Sequence, residues 1–306
     1  MLVASGRSGD HGRVSPSLAQ ARGELRPRGT PLEYWFVTLR TGDLAFLVDW
    51  IVRRGEGTAE VRVSLRLRGQ GRVVRAGGAS WRDGPGEVVI GGCTLTSSRA
   101  TGELEDVRWE LAHDPGPWLL DPAPVLATVL RPFDLRLVAR PRARFTGTVT
   151  VGEEVFRVVD AEGTVVHYWG RRLPDSWVWV SADGVGDQAA AVEAALFRSR
   201  VWGLPGTGVD AGYVAVHDGS RTELVIAPAY GRMSVHGSET TFELDARSRA
   251  HHVHLTAHAG PDSYNDLGEG IHQALLGDLG VDGRGTCRGR AGLEIRGDLL
   301  RTPWTT

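Results

Sequence analysis

Short stretches in which apolar and polar residues alternate recur along this chain, separated by Gly-rich or Asp-Gly steps. Val61-Arg62-Val63-Ser64-Leu65-Arg66-Leu67-Arg68 carries the alternation most cleanly: its apolar side chains fall on one face and its arginines on the other. That is the period of a half-buried antiparallel strand whose second face is wet. Phe133 to Leu137 repeats the pattern. The same reading predicts strands over Glu33 to Leu39, Leu44 to Val52, Gly86 to Ile90, Phe145 to Val151, Val155 to Val159, Trp177 to Ser181, Tyr213 to His217, Glu223 to Ala227 and Leu293 to Arg296. Asp187 to Arg200 is ambiguous. Ala189, Val192, Ala195 and Leu196 make an apolar stripe at helical spacing, yet the segment follows a hairpin-type Asp183-Gly184 step, so helix and strand both stay open.

The 41 glycines and 15 prolines supply turns for many short strands. With so few helix-period signals, the expected class is all-β with few short helices, built as sandwiches or closed barrels rather than as an α/β fold. A length of 306 residues fits about two domains. We place a flexible leader over 1–29 and the halves over 30–160 and 161–306, with the boundary near Val159 to Gly163. The Pro-rich loops at Asp114 to Pro117 and Asp121 to Pro124 read as a crossing at the rim of the first half.

Charge and composition remove several function classes. A formal net charge of -2 does not give the concentrated positive field a nucleic-acid partner needs. Every basic side chain is arginine, so lysine Schiff-base and lysine phosphate-loop chemistry are excluded. No apolar run approaches the roughly 20 residues that span a bilayer, and the longest, Leu44 to Val52, is broken by Asp49. The leader lacks the apolar core of a secretory signal, and a cytoplasmic location is expected. Cys93 and Cys287 are too few for a disulfide framework and are expected as free buried thiols.

The densest aromatic segment runs from Gly163 to Val180, with Trp169, Trp177 and Trp179 in eleven positions. As strands, it puts His167 on one face with Trp169, and Trp177 with Trp179, and a turn at Leu173-Pro174-Asp175 would bring those faces together. Aromatic walls suit an apolar or polyene ligand and a developing cation, and a histidine among them could move protons. The alternative is a filled barrel with a satisfied core histidine. Glu33 and Asp49 sit inside apolar strands, where a desolvated carboxyl group stays protonated and can act as a general acid; pairing of Asp49 with Arg53 or Arg54 is the plainer alternative. His252, His254 and His258 share one strand face, but the cluster contains no acid, and a solvated strand is expected rather than a metal site. Neither a Gly-x-Ser-x-Gly elbow nor a dinucleotide-binding glycine motif is present.

Three elements carry a resemblance. Glu33-Tyr34-Trp35-Phe36-Val37 resembles the opening of tocopherol cyclases. His167-Tyr168-Trp169-Gly170 through Trp177-Val178-Trp179 resembles their Asn-Trp-Gly…Trp-x-Trp stretch. Gly277-Asp278-Leu279 and Ala291 to Gly297 are similar to their closing Gly-Asp-Leu and Ala-x-x-Glu-x-x-Gly elements. The wider superfamily includes carotenoid hydratases and lipocalin-like Diels–Alderases. The resemblance implies two lipocalin-like barrels and cofactor-free cyclisation, isomerisation or hydration of an isoprenoid, polyene or polyketide-type substrate in an internal cavity. Two departures stand out. Val165 and Val166 occupy the place where related sequences carry an acid before the Trp-Gly, and Tyr34 replaces a small glycine, which would narrow the first barrel.

The expected function is a cofactor-independent cyclase, isomerase or hydratase. His167, Glu33 and Asp49 are the proton-handling candidates, and Tyr34, Trp35, Trp50, Trp169, Trp177 and Trp179 line the ligand. The alternative is a non-catalytic carrier or sensor of an apolar small molecule, and a third is a structural remnant with a filled barrel. The partner in each functional reading is a hydrophobic small molecule, bound by a monomer or a dimer, with no cofactor and no metal.

Overall fold

The computed structural model describes residues 26–78, 80–84, 86–114, 116–122, 135–187, 189–200 and 208–300. The leader lies almost wholly outside them, as do Phe133 and Asp134. The chain forms two antiparallel sheets. The first contains β1 (Leu32–Thr41), β2 (Leu44–Arg53), β3 (Thr58–Leu67), β4 (Gln70–Gly77), β5 (Trp81–Gly84), β6 (Glu87–Ile90), β7 (Cys93–Thr96), β8 (Arg99–Leu104), β9 (Val107–Asp114), β10 (Leu135–Val151) and β11 (Glu154–Gly170). Its order is β4-β3-β2-β1-β11-β10-β9-β8-β7-β6-β5, so the two edge strands are consecutive in the chain and the sheet rolls into a barrel.

The second sheet contains β12 (Ser176–Val185), β13 (Ala190–Arg200), β14 (Gly208–His217), β15 (Thr222–Ala227), β16 (Gly231–Gly237), β17 (Thr241–Ser248), β18 (His252–His258), β19 (Tyr264–Asp266), β20 (Ile271–Val281) and β21 (Gly285–Arg296). Its order is β15-β14-β13-β12-β21-β20-β18-β17-β16, again with consecutive edge strands, and β19 pairs with β20 off that path. The only helical element among the described residues is a 3₁₀ turn over Pro261–Ser263. No helix among them is long and apolar enough to cross a membrane. The fold is the all-β class the pattern predicts, in the two-barrel arrangement the resemblance implies.

Every strand read from the alternation overlaps an observed strand, with Arg68 just outside β3, Gly86 just outside β6 and Phe133 and Asp134 outside the described residues; the ambiguous Asp187 to Arg200 is strand from Ala190 onward, as β13. β11 runs unbroken through residues 160 and 161, and the chain leaves the first sheet at Gly170. Each barrel has its own apolar interior. In the first, Trp35, Trp50 and Trp109 are each at most 1 % exposed and pack with Phe46 and Phe145. Gly102 makes room for this filling, since a Cβ there would stand 2.4 Å from the Trp109 ring. The second interior is built of smaller residues such as Val180, Ala194, Val216 and Leu293.

A third apolar cluster lies between the barrels. Phe36, Leu47 and Val166 of the first sheet meet Trp177, Trp179, Ala195 and Tyr213 of the second. The strands that build this seam are therefore buried on both faces. β3 shows the consequence: Arg62, Ser64 and Arg66, which the alternation assigns to a wet face, are at most 8 % exposed because the second barrel covers them.

Candidate functional site

Strand alternation decides which chamber each side chain faces. On β1, Trp35, Val37 and Leu39 point into the first barrel, while Tyr34 and Phe36 point into the seam. On β12, Val178 and Val180 enter the second barrel, while Trp177 and Trp179 enter the seam. The tryptophans predicted to line one cavity are thus divided. Trp35 and Trp50 are opposite each other inside the first barrel, with the Trp50 indole N–H donated to the Cys93 carbonyl at 3.2 Å. Trp177 and Trp179 belong to the seam, and no turn brings them onto the His167 face. Tyr34 projects outward from the first barrel and does not narrow it.

His167 is fully buried, with its ring stacked on Trp35 at 4.8 Å between centroids and tilted against Trp169 at 4.7 Å. Its Nε2 lies 3.2 Å from Glu33 Oε2. The Glu33 carboxylate also accepts the backbone N–H groups of Arg28 at 2.8 Å, Gly29 at 2.5 Å and Thr30 at 3.2 Å, and the Arg54 guanidinium at 2.9 Å. Burial pushes this carboxyl up, but the hydrogen bonds from His167 and the Arg28 backbone, with the charges of His167 and Arg54, hold it below its ordinary value. Glu33 is consequently an anion that ties residues 28–30 to the barrel, and an ionised carboxylate does not suit the general-acid role expected of it.

Asp49 is the one predicted acid that faces the seam. It pairs with neither Arg53 nor Arg54. Its partner is Arg62, on the neighbouring strand, whose Nε and Nη2 lie 2.7 Å and 2.6 Å from Asp49 Oδ2. The same guanidinium donates to the Tyr34 hydroxyl at 3.2 Å and to the Leu267 carbonyl at 3.0 Å. Burial raises the Asp49 carboxyl against the opposing pull of Arg62.

The second barrel supplies two further acids, and β12 holds both by its indoles. Trp179 Nε1 donates to Glu193 Oε1 of β13 at 2.6 Å, and Trp177 Nε1 donates to Glu294 Oε1 of β21 at 2.9 Å. Gln273 Nε2 donates to the other Glu294 oxygen at 2.9 Å. These carboxylates flank β12 on its two sides: Glu193 is in register with Ser181, and Glu294 with Trp179. Two strand spacings and a two-residue offset put their backbones about 12 Å apart. Burial pushes Glu193 up to about 8, against the hydrogen bonds of Trp179 and Ser181, and raises Glu294 against the charge of Arg62. Asp183, also at this interface, is pushed by burial to about 6.

Unsatisfied polar atoms concentrate in the seam. Glu193 Oε2, the Tyr213 hydroxyl beside it, Gln273 Oε1, Asp49 Oδ1, Thr38 Oγ1 and Arg40 Nη2 are all buried without a well-formed hydrogen bond. Such groups are costly unless a ligand or water meets them. Among them, a neutral Glu193 carboxyl would present its O–H from Oε2, since Oε1 is held by the indole of Trp179. Phe36 meets the edge of that indole at 5.6 Å. The arrangement can deliver a proton to a bound molecule while aromatic faces stabilise the positive charge that develops.

Sequence reasoning missed Glu193 and Glu294 as acids. Glu294 lies within the Ala-x-x-Glu-x-x-Gly element but carried no assigned role, and Glu193 was hidden in an Ala-rich run. The histidines of β18 do share one face, which is turned outward. His252 Nε2 lies 2.7 Å from Asp245 Oδ2, and Arg247 binds the same carboxylate at 2.7 Å. Among the described residues, no group of three or more His, Cys, Asp or Glu is arranged to hold a metal ion.

No protein-family model matches the chain. An uncharacterised protein of Mycobacterium tuberculosis, present in two strains, is 31 % identical over 122 residues; the match spans 39 % of this chain and 35 % of that protein. The chain therefore matches about a third of the length of these relatives. Solved structures are similar over nearly the whole chain. A Nitrosomonas europaea protein described as an AttH superposes with a TM-score of 0.64 at 16 % identity, covering 97 % of this chain and 100 % of that one. Kievitone hydratase of Nectria haematococca gives 0.62 at 12 % identity, with 92 % of each chain covered. CghA gives 0.55 at 11 % identity, covering 90 % of this chain and 89 % of that one. At these identities the likeness establishes the shared two-barrel fold.

Proposed function

We propose that this protein is a cofactor-independent enzyme of the hydratase, cyclase or isomerase type, related to the tocopherol cyclase-like superfamily, and that it works on an apolar unsaturated molecule held in the seam between its barrels. One observation carries the reading. Glu193 is a fully buried carboxyl group, pushed up to about 8 and pinned by Trp179, with its second oxygen beside the Tyr213 hydroxyl in the seam and without a well-formed hydrogen bond. At neutral pH this group is mainly the acid, the state a proton donor needs. The existence of a hydratase on the same fold, kievitone hydratase, supports the choice of reaction class by analogy.

The step balances without an external reductant or oxidant. Glu193 transfers its proton to an alkene carbon, the π bond breaks, and a carbocation forms beside Trp179, Phe36 and Tyr213. Water then adds and sheds a proton, a neighbouring carbon loses a proton to form a new double bond, or an internal double bond closes a ring and the cation so formed is discharged by one of those two routes; in each case the proton released returns to the Glu193 carboxylate. Asp49 with Arg62 and Tyr34, and Glu294 with Gln273, form a second polar end of the seam that positions the substrate. His167 and Glu33, in the wall of the first barrel, serve to hold it together.

Incubation of the protein with a panel of isoprenoids, polyenes and prenylated phenols in deuterated water, followed by mass spectrometry, tests the reading. Protonation at carbon installs deuterium that does not wash out, and Glu193→Gln should abolish that incorporation. Ligands recovered bound but unlabelled across the panel would instead favour a carrier, the reading left when the acid does no chemistry.

A further inference from the structure

Across the seam, the inward side chains of β1 and β12 form a graded series. Tyr34 lies toward the Trp177 end, and Phe36 meets Trp179. Thr38 is in register with Thr164, whose hydroxyl lies 3.1 Å from that of Ser181. Arg40 completes the series opposite Asp183, whose charge is the strongest it feels. At about 3.3 Å per residue, the path from Tyr34 to Arg40 spans about 20 Å. The seam-facing residues of β1 itself pass from aromatic to cationic along that length, while the Tyr34 end also carries the Asp49–Arg62 pair.

Arg40 is an unusual group for this position. Its Nε donates to the Leu275 carbonyl at 2.8 Å, but Nη2 is buried with no partner. Gly292 permits the placement: a Cβ there would stand 2.6 Å from Nη2 and 3.1 Å from the Trp179 ring. The guanidinium and the indole therefore share one corner with Glu193. Neither Glu193 nor Asp183 forms an ion pair with Arg40 among the described residues, and burial raises both toward their neutral forms. A half-buried arginine whose Nη2 is buried with no partner has one donor left to offer to an anionic oxygen.

The same end of the seam has an arginine-rich rim. Arg142, Arg144 and Arg290 converge on Glu162 at 3.4 Å, 2.8 Å and 3.9 Å, and Arg142 and Arg290 add their charge to that of Arg40 at Asp183. Glu162, Asp183 and Asp160, which pairs with Arg144 at 3.4 Å, are the opposing acids. Four guanidinium groups thus face four carboxyl groups, Glu193 included, and of these Glu193 is mainly in its neutral form near neutrality.

We propose that Arg40 is a substrate-binding residue, and that the seam selects an apolar molecule bearing one anionic oxygen, a carboxylate, enolate or phenolate. That oxygen accepts the Arg40 Nη2 hydrogen bond, and the apolar body lies along Trp179, Phe36 and Tyr213. Arg142 and Arg290 draw the anion toward this end. The proposal rests on the seam being the binding site, as argued above.

Two fluorescent probes with the same aromatic body separate these claims. Anilinonaphthalene sulfonate carries an anion, and phenylnaphthylamine is neutral. Wild-type protein should bind the sulfonate at least tenfold more tightly, by an amount that shrinks as salt is added. Arg40→Gln should weaken the sulfonate about tenfold, the worth of one charge-assisted hydrogen bond, and leave the neutral probe unchanged. Arg40→Lys, which keeps the charge and loses the fork, should fall between, and circular dichroism melting checks that both variants fold. Trp179→Phe should weaken both probes. If Arg40→Gln changes neither probe, or both equally, while Trp179→Phe weakens both, the Arg40 proposal fails and the seam reading stands. If Trp179→Phe has no effect, or neither probe binds, the seam reading fails and takes the proposal with it.

Discussion

Replacing Glu193 by Gln isolates the cost of keeping a carboxyl group in the seam. The carboxyl is pushed from an ordinary value of 4.5 to about 8, so between those pH values the folded protein binds a proton that the unfolded chain releases. Stability contributed at this position is therefore greatest below about pH 4.5 and is lost as pH rises toward 8, the sign for a carboxyl group raised by folding. Relative to a neutral isostere, the penalty is about 1 kcal/mol at pH 5 and about 4 kcal/mol at pH 8, from 1.36 kcal/mol per pH unit. Gln keeps an oxygen for the Trp179 indole and carries no charge. Urea unfolding of both proteins at pH 5, 6.5 and 8 gives the test, because titrating groups that do not feel Glu193 cancel in the difference; Asp183, whose charge acts on Glu193, adds to the change. Glu193→Gln should gain about 2–4 kcal/mol on the wild type between pH 5 and 8. A stability difference that does not change with pH would refute the buried-acid argument.

Three further outcomes follow from the same geometry. Asp49→Asn leaves the Arg62 guanidinium buried without its counter-charge and should destabilise by about 3–5 kcal/mol, measured by the same unfolding method, whereas Asp49→Asn with Arg62→Met should recover much of the loss. Glu33→Gln removes the anion that His167, Arg54 and the backbone of residues 28–30 surround; it should cost about 3 kcal/mol at pH 7 and progressively less as pH falls below the ordinary carboxylate range, since Glu33 is lowered by folding and its contribution is lost on protonation. Gly292→Ala drives a methyl group into Arg40 and Trp179; it should cost about 1–3 kcal/mol in thermal melts and abolish the preference for the sulfonate probe, and an unchanged preference would show that Arg40 has room to spare.

The period-two alternation of β3, and the apolar, aromatic and β-branched runs of β1, β2 and β12, were readable because each is short and ends at a turn. What that alternation cannot show is a second burial surface. Val61 to Arg68 reads as one apolar and one wet face, but its arginines are covered by another barrel, and only the three-dimensional packing supplies that cover. β13 fails for the same reason in reverse. Val192, Ala194 and Leu196 fill the second barrel while Ala191, Glu193 and Ala195 face the seam, so burial on both faces produces a continuous apolar run that helix and strand share. Glu193 inside such a run looks like a solvated helical glutamate. The pairing of His167 with Trp169, and of Trp177 with Trp179, followed from strand alternation alone. Whether those two faces meet depended on β11 and β12 entering different sheets, which no local pattern encodes. The resemblance through Trp177-Val178-Trp179 and the Glu294 element marked the right strands, because those residues build the acid-holding wall, but it did not reveal that the wall lies between the barrels.

The location of the binding site is the claim on which the chemistry depends, and photolabelling addresses it directly. An apolar probe carrying a small photoreactive diazirine, cross-linked and mapped by peptide mass spectrometry, should mark the seam faces of β1, β12, β13 and β14, at residues such as Phe36, Trp179 and Tyr213. Labels confined to residues that line a barrel interior, such as Val63 in the first or Val216 in the second, would contradict the account.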